Sequence, residues 1–215
     1  MSRKLRRTVR SKRIGSGKIG EGMTGKVYYP ALECDEPSKQ PKGDYVSKVT
    51  SIEAGESEFK KTEPLRSLKP TNSIYPESKC IYKGKNLLFL KYGGFNLSDY
   101  FTNLEQNATG RLSWAPEPVI IDLNELNKII HALEELINEV NILNKANLYH
   151  NDISLDNIVY NPKINRAYLI DFEKMTMNSQ SGKRSDLQAI QDILNDFKKY
   201  QTILAEKELK VKSQE

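Results

Sequence analysis

The sequence predicts an α+β chain of two lobes around a cleft, a small antiparallel β-sheet lobe leading into a mainly helical one. Three observations carry that expectation. Residues 14–92 are dominated by short alternating or apolar runs punctuated by glycine, the pattern of strands joined by tight turns. The strongest helical periodicity, from Leu126 through Ile129, Ile130, Leu133, Leu136 and Val140, comes afterwards. Between them Gly93-Gly94 directly follows an apolar run, a natural hinge.

The bulk numbers suit this outline. A chain of 215 residues can bury a sizeable core without staples, and 38% hydrophobic with 28% charged residues is ordinary globular composition. No apolar run approaches the roughly eighteen residues that span a bilayer, and no apolar segment follows the basic N-terminus as in a signal peptide. Cys34 and Cys80 are too few for a disulfide framework or a zinc ligand set, so two thiols in a reducing compartment are expected. Much of the net charge of +5 is local, with Arg3, Lys4, Arg6, Arg7, Arg10, Lys12 and Arg13 in the first thirteen residues. Such a block is a solubilising tail or a contact for nucleic acid or an acidic surface, and without interleaved aromatics it does not stack on bases.

Along the chain, Ile14 to Tyr29 reads as strand, glycine turn, strand. Gly20-x-Gly22-x-x-Gly25 would bring backbone N–H groups close to something bulky and anionic. Tyr45-Val46-Ser47-Lys48-Val49 alternates as a strand that places Lys48 on the face of Val46, and a lysine turned inward calls for an anion. Residues 53–68 suggest a helix around Glu56, Glu58, Phe59 and Lys61, broken near Pro64. Cys80–Tyr82 and Asn86–Tyr92 form a hairpin across Lys83-Gly84-Lys85. Residues 96–101 give a short helix, and 103–118 a polar, proline-marked loop in which Trp114 anchors packing. Asp122 with Glu125 caps the long helix. Ser185 caps a last helix through Phe197, beyond which residues 201–215 are charged and expected to fray.

The chemistry concentrates in Tyr149-His150-Asn151-Asp152-Ile153-Ser154-Leu155-Asp156-Asn157 and in Leu169-Ile170-Asp171-Phe172-Glu173. Two apolar runs each deliver a carboxylate. If they are neighbouring strands, Asp152, Asn157 and Asp171 converge on one small volume suited to a hard divalent cation and a phosphate.

In order and spacing these motifs resemble the protein-kinase-like superfamily over residues 14–197. The resemblance implies ATP and Mg²⁺ as cofactors. Gly20, Gly22 and Gly25 would cover the phosphates and Val27 would pack on the adenine. Lys48 would neutralise the α- and β-phosphates, paired with Glu58 in preference to Glu63, which adjoins Pro64. Leu90 would be the gatekeeper, with Lys91, Tyr92 and Gly93 as hinge backbone. Asp152 would be the catalytic base, Asn157 and Asp171 the metal ligands, and Asp186 the support of the catalytic loop from behind. On this reading the basic tail is 1–13, the first lobe 14–91, a truncated second lobe 92–200 and a charged tail 201–215.

Departures narrow what the resemblance implies. Asn151 stands where protein kinases carry the arginine that receives an activation-loop phosphate. Ser154 stands where serine/threonine kinases carry a lysine on the γ-phosphate, and Glu173 replaces a glycine. The chain ends after one helix beyond a short loop. The leading expectation is a minimal serine/threonine protein kinase acting on protein substrates, similar to trimmed kinases of large DNA viruses. It would be intracellular, in the cytoplasm, or in the host nucleus or the virion if viral. The alternatives are a small-molecule kinase, since His150-Asn151-Asp152 and Ile170-Asp171-Phe172-Glu173 are similar to choline and aminoglycoside kinases, and a nucleotide-binding pseudokinase.

Overall fold

A computed structural model of the chain describes residues 17–21, 25–109, 121–181 and 184–212. The first lobe is an antiparallel sheet of β1 (Gly17–Glu21), β2 (Lys26–Tyr29), β3 (Tyr45–Thr50), β4 (Ser78–Tyr82) and β5 (Lys85–Lys91), in the spatial order β1-β2-β3-β5-β4. Its register decides which side chains meet. Val27 lies opposite Lys48, Lys48 opposite Leu88, and Val46 opposite Leu90. Directly opposed residues share a face, so Val27, Lys48 and Leu88 form one row on the cleft side and Val46 and Leu90 the next.

Between β3 and β4 run α1 (Ile52–Lys61) and α2 (Glu63–Leu68). Ser51 caps α1 by accepting from the Ala54 N–H at 3.2 Å. The break falls at Thr62, and Pro64 sits in the first turn of α2, where its missing N–H costs nothing. The connection that follows belongs to the other lobe. Ile74 N–H donates to Leu169 O at 2.8 Å and Leu169 N–H to Asn72 O at 2.9 Å.

The second lobe comprises β6 (Phe95–Asn96), α3 (Leu97–Thr109), α4 (Leu123–Lys145), β7 (Leu148–Tyr149), β8 (Ile158–Asn161), β9 (Arg166–Leu169), β10 (Thr176–Met177) and α5 (Asp186–Lys212). Asp122 caps α4 by accepting from Glu125 N–H at 2.7 Å. Its apolar face (Leu126, Ile129, Leu133 and Leu136 among others) builds the main core with α3, α5 and the β8–β9 hairpin. The fold is thus α+β, an antiparallel sheet lobe joined to a mainly helical one.

Three local expectations are corrected. The helix expected over 96–101 continues to Thr109, because burial of Leu104 and the packing of Phe101 on Phe197 and Tyr200 outweigh a polar composition. The last helix does not end near Phe197 but runs to Lys212, with Tyr200 and Leu204 packed on the core and Gln201 Nε2 donating to Asn127 Oδ1 at 2.6 Å. Cys34 and Cys80 are not two free thiols. They form a disulfide that ties the β2–β3 connection to β4, with Cα atoms 6.0 Å apart.

The basic tail 1–13, Gly22 of the glycine turn and Trp114 lie outside the described residues. Among the described residues, no helix is long and apolar enough to cross a membrane.

Candidate active site

Lys48 reaches the cleft from the centre of the sheet. Its Nζ donates to Glu58 Oε2 of α1 at 2.9 Å and also contacts Glu173 Oε1 from the second lobe. Of the two glutamates weighed in the sequence, Glu58 is the partner, whereas Glu63 opens α2. Burial works to lower the Lys48 pKa, but the two carboxylates outweigh it and hold the ammonium above its ordinary value. The same burial raises Glu58, an effect that Lys48 partly offsets.

Val27 shares the Lys48 row, and Leu90 faces Val46 at the end of β5. Gly20 sits opposite Val27 next to a register shift in β1, with ordinary space around it. Gly25 is different, because a Cβ there would stand 2.5 Å from Val49 O, so only glycine lets β2 approach β3 at this point. At the crossing between the lobes Lys91 turns outward to Glu77 at 2.9 Å. Tyr92 stacks on Tyr29 with ring centroids 4.4 Å apart, and its N–H donates to Asp44 O at 3.3 Å. That N–H is already engaged, so Tyr92 offers an aromatic wall more readily than a hinge donor.

The catalytic stretch joins β7 to β8 and is held from behind. Asp186, buried at the start of α5, accepts from His150 N–H at 2.6 Å and from Asn151 N–H at 2.9 Å. Asn157 Nδ2 donates to Asp152 O at 2.8 Å and to Asp152 Oδ2 at 3.1 Å, which leaves the Asn157 carbonyl oxygen as its remaining ligand atom. Asp171 follows β9 in the left-handed region, φ 61°, a conformation that aspartate tolerates better than most residues. Its Oδ1 is buried with no hydrogen-bond partner. An orphaned carboxylate oxygen is costly unless something cationic meets it.

Mg²⁺ fits that donor set. Among the described residues no group of three or more His, Cys, Asp or Glu side chains is arranged as a metal cage. Mg²⁺ does not need one, since it is commonly held by one or two protein oxygens, phosphate oxygens and water. Asp171 and the Asn157 carbonyl would hold it, and it would supply charge neutralisation of the phosphates.

His150 is 1% exposed, and its hydrogen bonds fix the tautomer. Nε2 lies 2.9 Å from Ile170 O, to which it must donate, and Nδ1 accepts from the Asp152 N–H at 3.3 Å. Burial pushes its pKa below the ordinary 6.5, and a proton on Nδ1 would oppose the Asp152 N–H. Between pH 6.5 and the lower folded value the unfolded chain binds the proton and the folded one does not, so stability rises with pH across that window. Thermal unfolding is expected to show full His150-dependent stability above pH 6.5 and its loss below, with the slope reduced in His150→Gln.

Three residues make contacts in the cleft that the sequence did not show. Glu173 bridges the lobes, its carboxylate on Lys48 and its backbone O accepting from Lys61 Nζ. Lys174 Nζ lies 2.9 Å from Asp152 Oδ1. Asn151, at φ 63°, donates from Nδ2 to Thr176 Oγ1 at 2.7 Å and accepts at Oδ1 from Ser181 N–H at 2.9 Å. It thereby fixes the following loop by neutral hydrogen bonds. The only sequence signal was that Asn151 and Glu173 depart from the expected pattern.

The sequence model of the choline/ethanolamine kinase family matches residues 88–183. No curated protein matches the chain. The matched segment holds Asp152, Asn157 and Asp171. Combined with the two-lobed fold and the Lys48–Glu58 pair, it places the chain in the protein-kinase-like superfamily, with similarity to choline/ethanolamine kinases.

Proposed function

We propose that the chain transfers the γ-phosphoryl group of ATP, with Mg²⁺, to the hydroxyl of a small molecule. The observation that carries this is the convergence of three differently held groups on one cleft. Asp152 is bracketed by Asn157 and aligned through His150 and Asp186, Asp171 offers an unpartnered oxygen, and Lys48 is held charged by two carboxylates. Phosphoryl transfer needs positioning and charge neutralisation rather than covalent help. Asp152 would accept or orient the hydroxyl proton, and Lys48 would meet the α- and β-phosphates. Gly20 and Gly25 would bring backbone over the nucleotide, while Val27, Leu90 and the Tyr29–Tyr92 wall would enclose its base.

The small acceptor is favoured by the similarity to choline/ethanolamine kinases and by the segment 173–181. There β10 pairs with β7 and Asn151 pins Thr176 and Ser181, leaving little extended chain for a peptide to lie along. A second reading, a protein serine or threonine as acceptor, is favoured by the cationic Lys174 beside Asp152, which suits a neutral hydroxyl better than choline.

Labelled ATP with Mg²⁺, offered a panel of small alcohols and a dephosphorylated protein such as casein, tests both readings. Transfer to small alcohols is expected. Transfer confined to protein selects the second reading. Absence of both transfer and MgATP-dependent thermal stabilisation would overturn the function, since ligand at about 100 times its Kd stabilises a folded state by roughly 2.7 kcal/mol.

A further inference from the structure

The catalytic loop from His150 to Asn157 contains no lysine or arginine. The transferred phosphoryl group nevertheless carries spread negative charge that needs a cation near the base. Lys48 already has Glu58 and Glu173 on its ammonium. Another cation reaches the base itself. Lys174 Nζ donates to Asp152 Oδ1 at 2.9 Å, on the oxygen opposite the one that takes Asn157 Nδ2 at 3.1 Å.

The placement is built rather than casual. Lys174 closes the short 3₁₀ turn Phe172–Lys174, whose Phe172 is 2% exposed and packs on the His150 ring with centroids 4.7 Å apart. Its backbone O accepts from Asn151 Nδ2 at 3.3 Å. Adjacent residues of that turn diverge, Glu173 going to Lys48 and Lys174 to Asp152. The backbone of Lys174 is therefore fixed at both sides while its side chain is largely exposed.

We propose that Lys174 is a catalytic residue that contacts the transferred phosphoryl group and makes the acceptor subsite select a neutral or anionic alcohol over a cationic one. The inference rests on the phosphotransfer reading above. As the phosphoryl group leaves the β-phosphate oxygen and bonds to the acceptor oxygen, the hydroxyl proton goes to Asp152 and the Lys174 ammonium neutralises the equatorial oxygens. An acceptor ammonium in the same place would meet a like charge within a few ångströms, which disfavours it.

The experiment compares wild type, Lys174→Met and Lys174→Arg, using MgATP with glycerol as neutral acceptor and choline as cationic acceptor. MgATP affinity and melting temperature are measured alongside. Lys174→Met is expected to lower kcat on glycerol about 10²-fold, the scale of losing one charged transition-state donor, with MgATP affinity and melting temperature unchanged. It should also raise the choline-to-glycerol ratio of kcat/KM about tenfold or more, and Lys174→Arg should keep most of the wild-type kcat. An unchanged kcat and acceptor ratio in Lys174→Met overturns the proposal and leaves the phosphotransfer reading standing. So does a loss of rate that tracks a lower melting temperature or weaker MgATP binding. A wild-type chain that binds MgATP but transfers to neither acceptor nor any other hydroxyl overturns that reading and this proposal with it.

Discussion

Replacing Asp152 with alanine is expected to lower phosphotransfer by about 10³-fold or more while leaving MgATP binding nearly intact. The separation follows from geometry. Asp152 faces Lys174 and Asn157, whereas the groups suited to nucleotide and metal are Lys48, Asp171 and the Asn157 carbonyl. Removing the carboxylate takes away the proton acceptor but no phosphate ligand. Single-turnover transfer alongside equilibrium MgATP binding checks this, and a variant that kept its transfer rate would show that another group is the base. Asp171→Ala is the complement, because it removes a buried, unpartnered carboxylate oxygen suited to a cation, and it should weaken Mg²⁺-dependent nucleotide binding as well as transfer.

Gly94→Ala is expected to be the most destabilising single methyl addition at the junction of the lobes. Gly94 has φ +108°, a region that L side chains rarely adopt, and a Cβ there would lie 2.2 Å from Tyr160 O and 2.6 Å from its carbonyl carbon. Backbone cannot rotate away as a flexible side chain can. Strain and overpacking together cost on the order of 3 kcal/mol or more. Gly84→Ala supplies the control, since Gly84 also has positive φ, +73°, but nothing within 4 Å of the added methyl, so about 1 kcal/mol is expected. Urea unfolding of the two variants measures the difference, and equal losses would show that backbone conformation rather than the Tyr160 contact dominates.

Much of the architecture could be read from the chain because it rests on local periodicity. The α4 stripe, its Asp122 cap and the alternation of β3 each carry their signal within a dozen or so residues. The ends of α3 and α5 could not be read that way. Tyr200 and Phe101 hold each other in helices nearly a hundred positions apart, and nothing in the polar sequence around either announces the partner. The Cys34–Cys80 bond has the same origin, since its geometry exists only once β4 lies beside the β2–β3 connection.

In the cleft, residue types with fixed spacing, His150-x-Asp152-x-x-x-x-Asn157 and Asp171-Phe172, were visible as a constellation. Glu173 and Lys174 were not, because consecutive residues on a 3₁₀ turn can face opposite walls and spacing alone does not say which. Asn151 reads in sequence as the loss of an arginine. In the fold its amide spans four hydrogen bonds to Tyr149 O, Lys174 O, Thr176 Oγ1 and Ser181 N–H. The loop is thus set by groups whose charge does not change.

The segment after α2 has a consequence for motion. Asn72 N–H and Ser73 Oγ both donate to the buried Glu139 carboxylate of α4, at 2.9 and 3.1 Å, while Ile74 is stitched to the edge of β9. The chain crosses between the lobes a second time at Gly93-Gly94, where a Cβ on Gly93 would press on Ile74 itself. Two adjoining anchor points define an axis rather than a pivot. Residues 72–74 thus stay with the helical lobe, and any relative movement of the sheet would be taken up where the chain leaves these two neighbouring anchors. Lys48, at the centre of that sheet, would move with it relative to Asp152.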